Sequence, residues 1–512
     1  MMIPTRGFAD GFFFILTCGY FTRAQAPSQN LHWLFAAPWL IKEMEPGEDP
    51  DGPLRKDKGV TNCNELLLPL LIGAAALQTP GEDLPPERQL THSAKNHMLD
   101  NNDNFSPNQR FLCYDTREMA GPGIENSRSV EMVEIATGRE TVLYEAKHFV
   151  TGVEAAPGVG AASFSPIDNK VVFIHGPMVE EVPVRGYYGK PNRQGAEVAA
   201  DGKGLLTWLD KRDVNRDRET IAGAHRGGTH RHEYSLDGKR IGFTYDDFIL
   251  SQYERTVGYM EKNAKAPAPA SCYFAILVPV APRGTARPGE IERAFGDSWV
   301  GRHGLMRAFI GKAREADGSY QESLFVVDVP RDVDITTAYS GSPARFPEPP
   351  KGTRIRRLTH TRAEGIVRGT VAGDRLAYYA PDAQGTNQVF IISSSGSDQD
   401  ADPAHRPVQA TSLPKGAGPG LRWHPSGNWI VCTSNGGIVA TRVKAGPDFG
   451  KSTFLTPQGD GPPRDQLVIS PDGKLLAYNR AVPSRDEKGK TVKTYNDLDV
   501  TQIFILPFRL PN

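Results

Sequence analysis

Short apolar runs, many alternating with polar residues, recur from residue 87 to the C-terminus, and Ser, Pro, Asp, Asn or Gly bound each of them. Runs of this length and period predict β-strands joined by tight turns. Six stretches share one shape: an aromatic or apolar residue, Ser, Pro, a polar turn, then a β-rich run. They include Phe105-Ser106-Pro107 before RFLCYD, Phe164-Ser165-Pro166 before KVVFIH, and Tyr234-Ser235-Leu236-Asp237-Gly238 before KRIGFTY. A degenerate copy is Val371-Ala372-Gly373-Asp374 before RLAYYA. The last two are Trp423-His424-Pro425-Ser426-Gly427 before NWIVCTS and Ile469-Ser470-Pro471-Asp472-Gly473 before KLLAYN. Each predicts a strand, a tight turn and a second strand, because Pro presets φ and Asp-Gly or Asn supplies the turn.

The proline-equivalent positions, 107, 166, 236, 372, 425 and 471, step by 46 to 70 residues apart from one gap of 136. That gap is about twice the others and hides one unit, which Arg302–Gly311 fills; seven units result. A second element has its own phase. Arg88-Gln89-Leu90-Thr91-His92-Ser93 is echoed by Arg357-Leu358-Thr359-His360-Thr361, Gln409-Ala410-Thr411-Ser412 and Phe454-Leu455-Thr456-Pro457. Between the two elements lie Val130–Ile135, Leu324–Val329 and Val389–Ile392. Each unit therefore predicts four strands, A to D, with the Ser-Pro turn between A and B and the Leu-Thr pair ending D. Four-stranded units of ~40–60 residues in radial array are β-propeller blades. The last unit has A and B (Leu467–Asn479) and C (Gln502–Phe508) but no D. The orphan Arg88–Thr91 carries the D signature and is expected to pair with Gln502–Phe508, which closes the ring and removes its free edge.

The Ser-Pro-Asp-Gly, strand, strand, Leu-Thr pattern over residues 87–510 resembles TolB-like (WD40-like) propellers. The expected fold is all-β: a seven-bladed propeller of four-stranded antiparallel blades spanning 87–512, closed by an N-terminal outer strand on the last blade. Such propellers host many activities, so function must come from the site.

Composition changes this picture little. Glycine (52) and proline (41) exceed usual proportions in 512 residues, which suits short strands and turns. A net charge of −1 argues against nucleic acid as a partner, since phosphate binding needs a basic face. Residues 1–86 read as a leader and linker. Gly11–Phe21 after Arg6, then Ala24-Gln25-Ala26, resembles a secretory signal peptide, and so does the apolar run Leu66–Leu77. Either implies a periplasmic or secreted protein. Both runs fall short of the ~20 residues of a membrane span. Cys113, Cys272 and Cys432 lie in apolar runs and read as buried thiols.

The candidate chemistry gathers where D–A and B–C connections share one face of the ring. Seven of the 12 histidines are assigned to D–A segments: His92, His97, His225, His230, His232, His303 and His360. On a regular strand His230 and His232 project to one side and suit a divalent metal, with His225 as third ligand; alternatively, one neutral imidazole is a general base. Strand-B ends add Asp115, Arg117, Asp246 and Asp247, and Asp100, Asn101, Asp103 and Asn104 precede the first strand A. Asp115, Asp246, Asp247 and Asn104 are candidate ligand contacts, and Arg117 suits a bidentate clamp on a carboxylate. Tyr187 and Tyr188 suit stacking on sugars. The long segments 176–225 and 250–303 are expected to carry lids over the site.

The His-rich segments also resemble those of oligogalacturonate lyases, seven-bladed propellers of this repeat type. That resemblance implies a divalent metal (Mn, Ca or Zn) on His230 and His232, His225 or His97 as base, and Arg117 or Arg307 on the substrate carboxylate. Two functions follow: a metal-dependent, lyase-like enzyme on an acidic saccharide, or a non-catalytic envelope scaffold that binds protein partners.

Overall fold

The repeats form because their hydroxyls stitch the backbone. The computed structural model describes residues 84–100, 102–118, 123–494 and 496–509. In the A–B turns, the Ser235 hydroxyl donates to the Asp237 carboxylate (2.7 Å) and accepts from the Arg240 N–H (3.0 Å). Ser470 repeats this with Asp472 (2.7 Å) and the Leu475 N–H (2.9 Å). Gly238 and Gly473 close these turns at φ 69° and 75°, a left-handed conformation that favours glycine. The Leu-Thr pair has an equally local cause. The hydroxyls of Thr91, Thr359, Thr411 and Thr456 accept from the N–H groups of Ile503, Leu324, Val389 and Ile438, at 2.8–3.0 Å. Each threonine thus extends the D–C ladder by one bond after its strand has ended.

Seven antiparallel blades result. Blade 1 pairs Phe111–Asp115, Ser129–Glu134 and Glu140–Glu145 in order. Its innermost strand is reduced to the bridges Met98–Asp115 and Phe105–Leu112. Blades 2 to 6 are complete four-stranded sheets, with innermost strands Val159–Phe164, Gly227–Tyr234, Ile291–Trp299, Glu364–Gly369 and Arg422–Trp423. Blade 7 runs Asp465–Ile469, Leu475–Ala481, Thr501–Pro507 and then Arg88–Gln89. Arg88 pairs with Ile505 and Gln89 with Phe504, which is the expected closure. The Glu87 carboxylate reinforces it by accepting from the buried Arg464 (2.9 and 2.5 Å) and from the Tyr478 hydroxyl. The core consists of apolar layers within and between blades, such as Phe243, Tyr259, Phe274, Phe309 and Phe325.

The inner strands are not regular. Five carry a register shift. Each of the five has a residue at positive φ: Ala161 (56°), Arg231 (52°), Gly296 (63°), Gly365 (71°) and Gln466 (51°). These are β-bulges, which bend the strand and re-aim its side chains. Two expectations change. The segments 176–225 and 250–303 hold the outer strands of blades 2 and 3 (Gln194–Ala199 with Leu206–Trp208, and Thr256–Lys262 with Cys272–Ile276), so lids are not their main content. His303 lies in the A–B turn of blade 4, its Nδ1 3.4 Å from Asp237, on the face opposite the D–A segments. The signal-like runs and Asn101 lie outside the described residues. Among the described residues, no helix is long and apolar enough to cross a membrane.

Candidate functional site

The loops of blades 1 to 3 converge on the D–A mouth of the channel. Strand B of blade 1 ends at Asp115, and Arg117 follows two residues on. Arg117 donates to Asp100 (2.5 Å) and lies 3.1 Å from Asp115. The Asp115 carboxylate also accepts from the N–H groups of Ala161 (2.8 Å) and Arg117 (3.1 Å). Burial pushes its pKa up to about 6, against the pull of Arg117. The B–C loop of blade 2 brings Tyr188 and Arg193, the guanidinium 4.6 Å above the ring. Burial raises the Tyr188 pKa and lowers that of Arg193.

Blade 3 completes the mouth. Arg193 donates to His230 Nδ1 (3.0 Å), and His230 Nε2 donates to Asp246 (2.7 Å). Arg255 also grips Asp246 (2.7 and 3.0 Å). Burial, reinforced by Arg255, lowers the His230 pKa to about 3, so the ring is neutral in ordinary buffers. Burial opposes ionisation of Asp246, yet His230 and Arg255 hold its pKa well below the carboxylate range.

The Arg231 bulge decides where the neighbouring imidazoles go. His230 pairs with Thr244 and Glu233 with Gly242, so the alternation expected of a regular strand is broken between them. His232 joins Thr229 (3.1 Å) instead of His230. Thr229 donates to the buried Asp210 (2.7 Å), whose other oxygen is 3.4 Å from His225 Nε2. The three histidines thus serve two partner sets, and the guanidiniums of Arg193 and Arg255 flank His230 and disfavour a cation there. Among the described residues, no group of three His, Cys, Asp or Glu side chains is placed to hold a metal ion. The ligand set implied by the lyase resemblance does not fit these residues.

The remaining candidates scatter. His97 lies in the seam between blades 7 and 1, bonded to Glu140 (3.1 Å), Ser93 (3.0 Å) and the Thr501 carbonyl (3.3 Å). Asn104 donates to the Cys113 and Ala162 carbonyls. Asp247 is taken by Arg226, Tyr245 and the N–H groups of Ile249 and Leu250. Arg307 is fully buried and paired with Asp297 and with Glu233 (3.0 Å). Of the candidates, the structure brings Asp115, Arg117, His230 and Asp246 to the mouth, along with Asp100 and Tyr188. Sequence reasoning missed Arg193, Arg255 and Asp210, which sit in B–C or D–A connections with no motif around them.

The mouth keeps unmet hydrogen-bonding groups. Among the described residues, Tyr188 Oη and Arg193 Nε are buried donors with no hydrogen-bond partner and Asp100 Oδ2 is an acceptor in the same condition, while Arg117 Nε has only the Asp115 carboxylate at 3.1 Å. Buried polar groups are rarely left unpaired.

Fold and mouth together define a seven-bladed β-propeller with a polar, arginine-rich channel opening. Residues 158–272 match the family described as Protein of unknown function (DUF3748). The chain is 29% identical over 422 residues to the Uncharacterized protein YidR of Escherichia coli (strain K12), covering 76% of this chain and 94% of YidR. Among solved structures it is similar to an oligogalacturonate lyase in complex with manganese (TM-score 0.41, 10% identity, 69% of this chain, 93% of that one). It is also similar to TolB from Acinetobacter baumannii (TM-score 0.34, 11% identity), covering 78% of this chain and 64% of TolB. It spans 45% of prolyl oligopeptidase B from Galerina marginata, covering 76% of this chain (TM-score 0.41, 10% identity). These likenesses concern the fold.

Proposed function

We propose that the protein is an exported binding propeller whose D–A mouth captures a carboxylate-bearing saccharide without covalent chemistry. One observation carries this reading: the buried donors Tyr188 Oη and Arg193 Nε, without a partner among the described residues, beside the Arg117 guanidinium and within electrostatic reach of it at a single opening. A carboxylate supplies the acceptors these donors lack, and a charge-assisted hydrogen bond is worth roughly twice a neutral one. Binding is favoured over catalysis because both nitrogens of His230, the histidine at the mouth, are engaged by Arg193 and Asp246. Export is supported by the two signal-like runs near the N-terminus.

A thermal-shift series tests the proposal. Galacturonate and digalacturonate are expected to raise the melting temperature, and galactose and digalactose are not. Equal shifts from acidic and neutral sugars would contradict it. A second reading, docking of a protein partner, is favoured by the exposed Val150, Val153, Val184, Tyr187, Ile221 and Phe248 in loops of blades 1 to 3.

A further inference from the structure

The far end of the channel holds a cavity of about 410 Å³, ringed by the A–B turns of all seven blades. Its wall is apolar and aromatic, with Phe105, Trp299 and Trp423 beside turn prolines such as Pro107 and Pro471. Its floor is charged. Glu233, Arg368 and Arg422 occupy equivalent places in their repeats, just ahead of the residue that enters the turn. The Trp299 and Trp423 indoles are fixed by donating to the carbonyls of Glu233 (3.0 Å) and Arg368 (2.9 Å).

The charges do not balance. Arg307 is matched by Asp297, and Glu233 lies 3.6 Å from Arg368 and 3.0 Å from Arg307. Asp103 faces Arg422 within electrostatic range. That leaves Arg231, at φ 52°, which donates to the Asp297 carbonyl (2.7 Å) and keeps one buried Nη2 without a partner among the described residues. Arg302 adds a further exposed cation at the rim. Burial raises the Asp103 pKa and lowers that of Arg422 to about 10, in each case against the attraction between the two groups.

We infer that the A–B end of the channel is a second binding site, for a small organic carboxylate carried on a flat apolar body, with its anion against Arg368 and Arg422, backed by the field of Arg231 behind the wall, and its body against Trp299 and Trp423. The cavity lies in the usual size range of small-molecule sites, roughly 300–1,000 Å³. It opens on the face opposite the saccharide mouth and shares none of that mouth's residues.

The probe is benzoate, with benzamide as its neutral isostere, titrated into the full chain at low ionic strength and followed by tryptophan fluorescence. Benzoate is expected to bind with a millimolar or tighter Kd, and benzamide at least tenfold more weakly. Arg422→Gln should weaken benzoate at least tenfold. Should that variant fail to fold, Arg302→Gln, at an exposed rim position, is expected to weaken it severalfold. Equal binding of benzamide, no benzoate binding at millimolar concentration, or unchanged affinity in the folded variants would each overturn the site.

Discussion

The two ends of the channel use one repeat in opposite ways. At the A–B end every connection is a short turn, in six blades held by a side chain bonded to the turn's own backbone, and the chemistry there comes from side chains on the inner strands. At the D–A end the connections differ in length from blade to blade, and the polar groups come from loops: Arg117 after a strand, Tyr188 and Arg193 from a B–C loop, Asp246 and Arg255 flanking another. Local stitching fixes the scaffold, and variable loops on it carry the specific chemistry.

Arg307 lies between the two ends and offers the hardest break. Replacing it by methionine leaves Asp297 and Glu233 buried with less compensation, which costs about 3–5 kcal/mol. Urea unfolding should show this, and both ends should lose binding together. Arg193→Gln separates the ends: uronate affinity at the D–A mouth should fall at least tenfold. Benzoate binding at the other end should be unchanged.

Acid sharpens the contrast. Burial lowers the pKa values of His175 and His232 to about 4 and of His230 to about 3, from an ordinary 6.5. An unfolded chain takes up these protons below about 6.5 and the native chain does not, so stability falls as pH drops from 6.5 toward 4. Asp115 opposes this: its native carboxyl binds a proton at about 6 and its unfolded one at 3.8, which returns some stability as pH falls through that interval. Melting temperatures against pH should therefore decline more steeply in Asp115→Asn than in the unsubstituted protein. The same titration frees Arg117 from a competing carboxylate, so uronate affinity should rise as pH falls toward 5, and Asp115→Asn should flatten that rise. The smallest effect expected is from Trp423→Phe. It keeps an aromatic ring, smaller than the indole, and drops one hydrogen bond to the Arg368 carbonyl, worth about 1 kcal/mol of stability.

Much of the fold was legible because its signals are local. Ser235, Ser470, Thr91 and Thr359 each bond to backbone within the same sheet, and that chemistry repeats visibly along the chain. Closure by Arg88–Thr91 followed from counting strands. The hidden fourth unit followed from spacing. The site was less legible. Nothing marks Arg231 as left-handed, since arginine is not a residue that favours positive φ, yet its bulge separates His232 from His230. Arg193 meets His230, and Asp210 meets His225 and Thr229, only through the packing of blade 2 against blade 3. Glu233, Arg368 and Arg422 could have been found by aligning the residues just ahead of each A–B turn.

The D–A mouth is tested most directly by titrating digalacturonate and its methyl ester into the unsubstituted protein and into Arg193→Gln. The acid should bind the unsubstituted protein at least tenfold more tightly than the ester, and most of that preference should vanish in the variant. No preference for the acid, or one equally large without Arg193, would contradict the proposed capture of a carboxylate there.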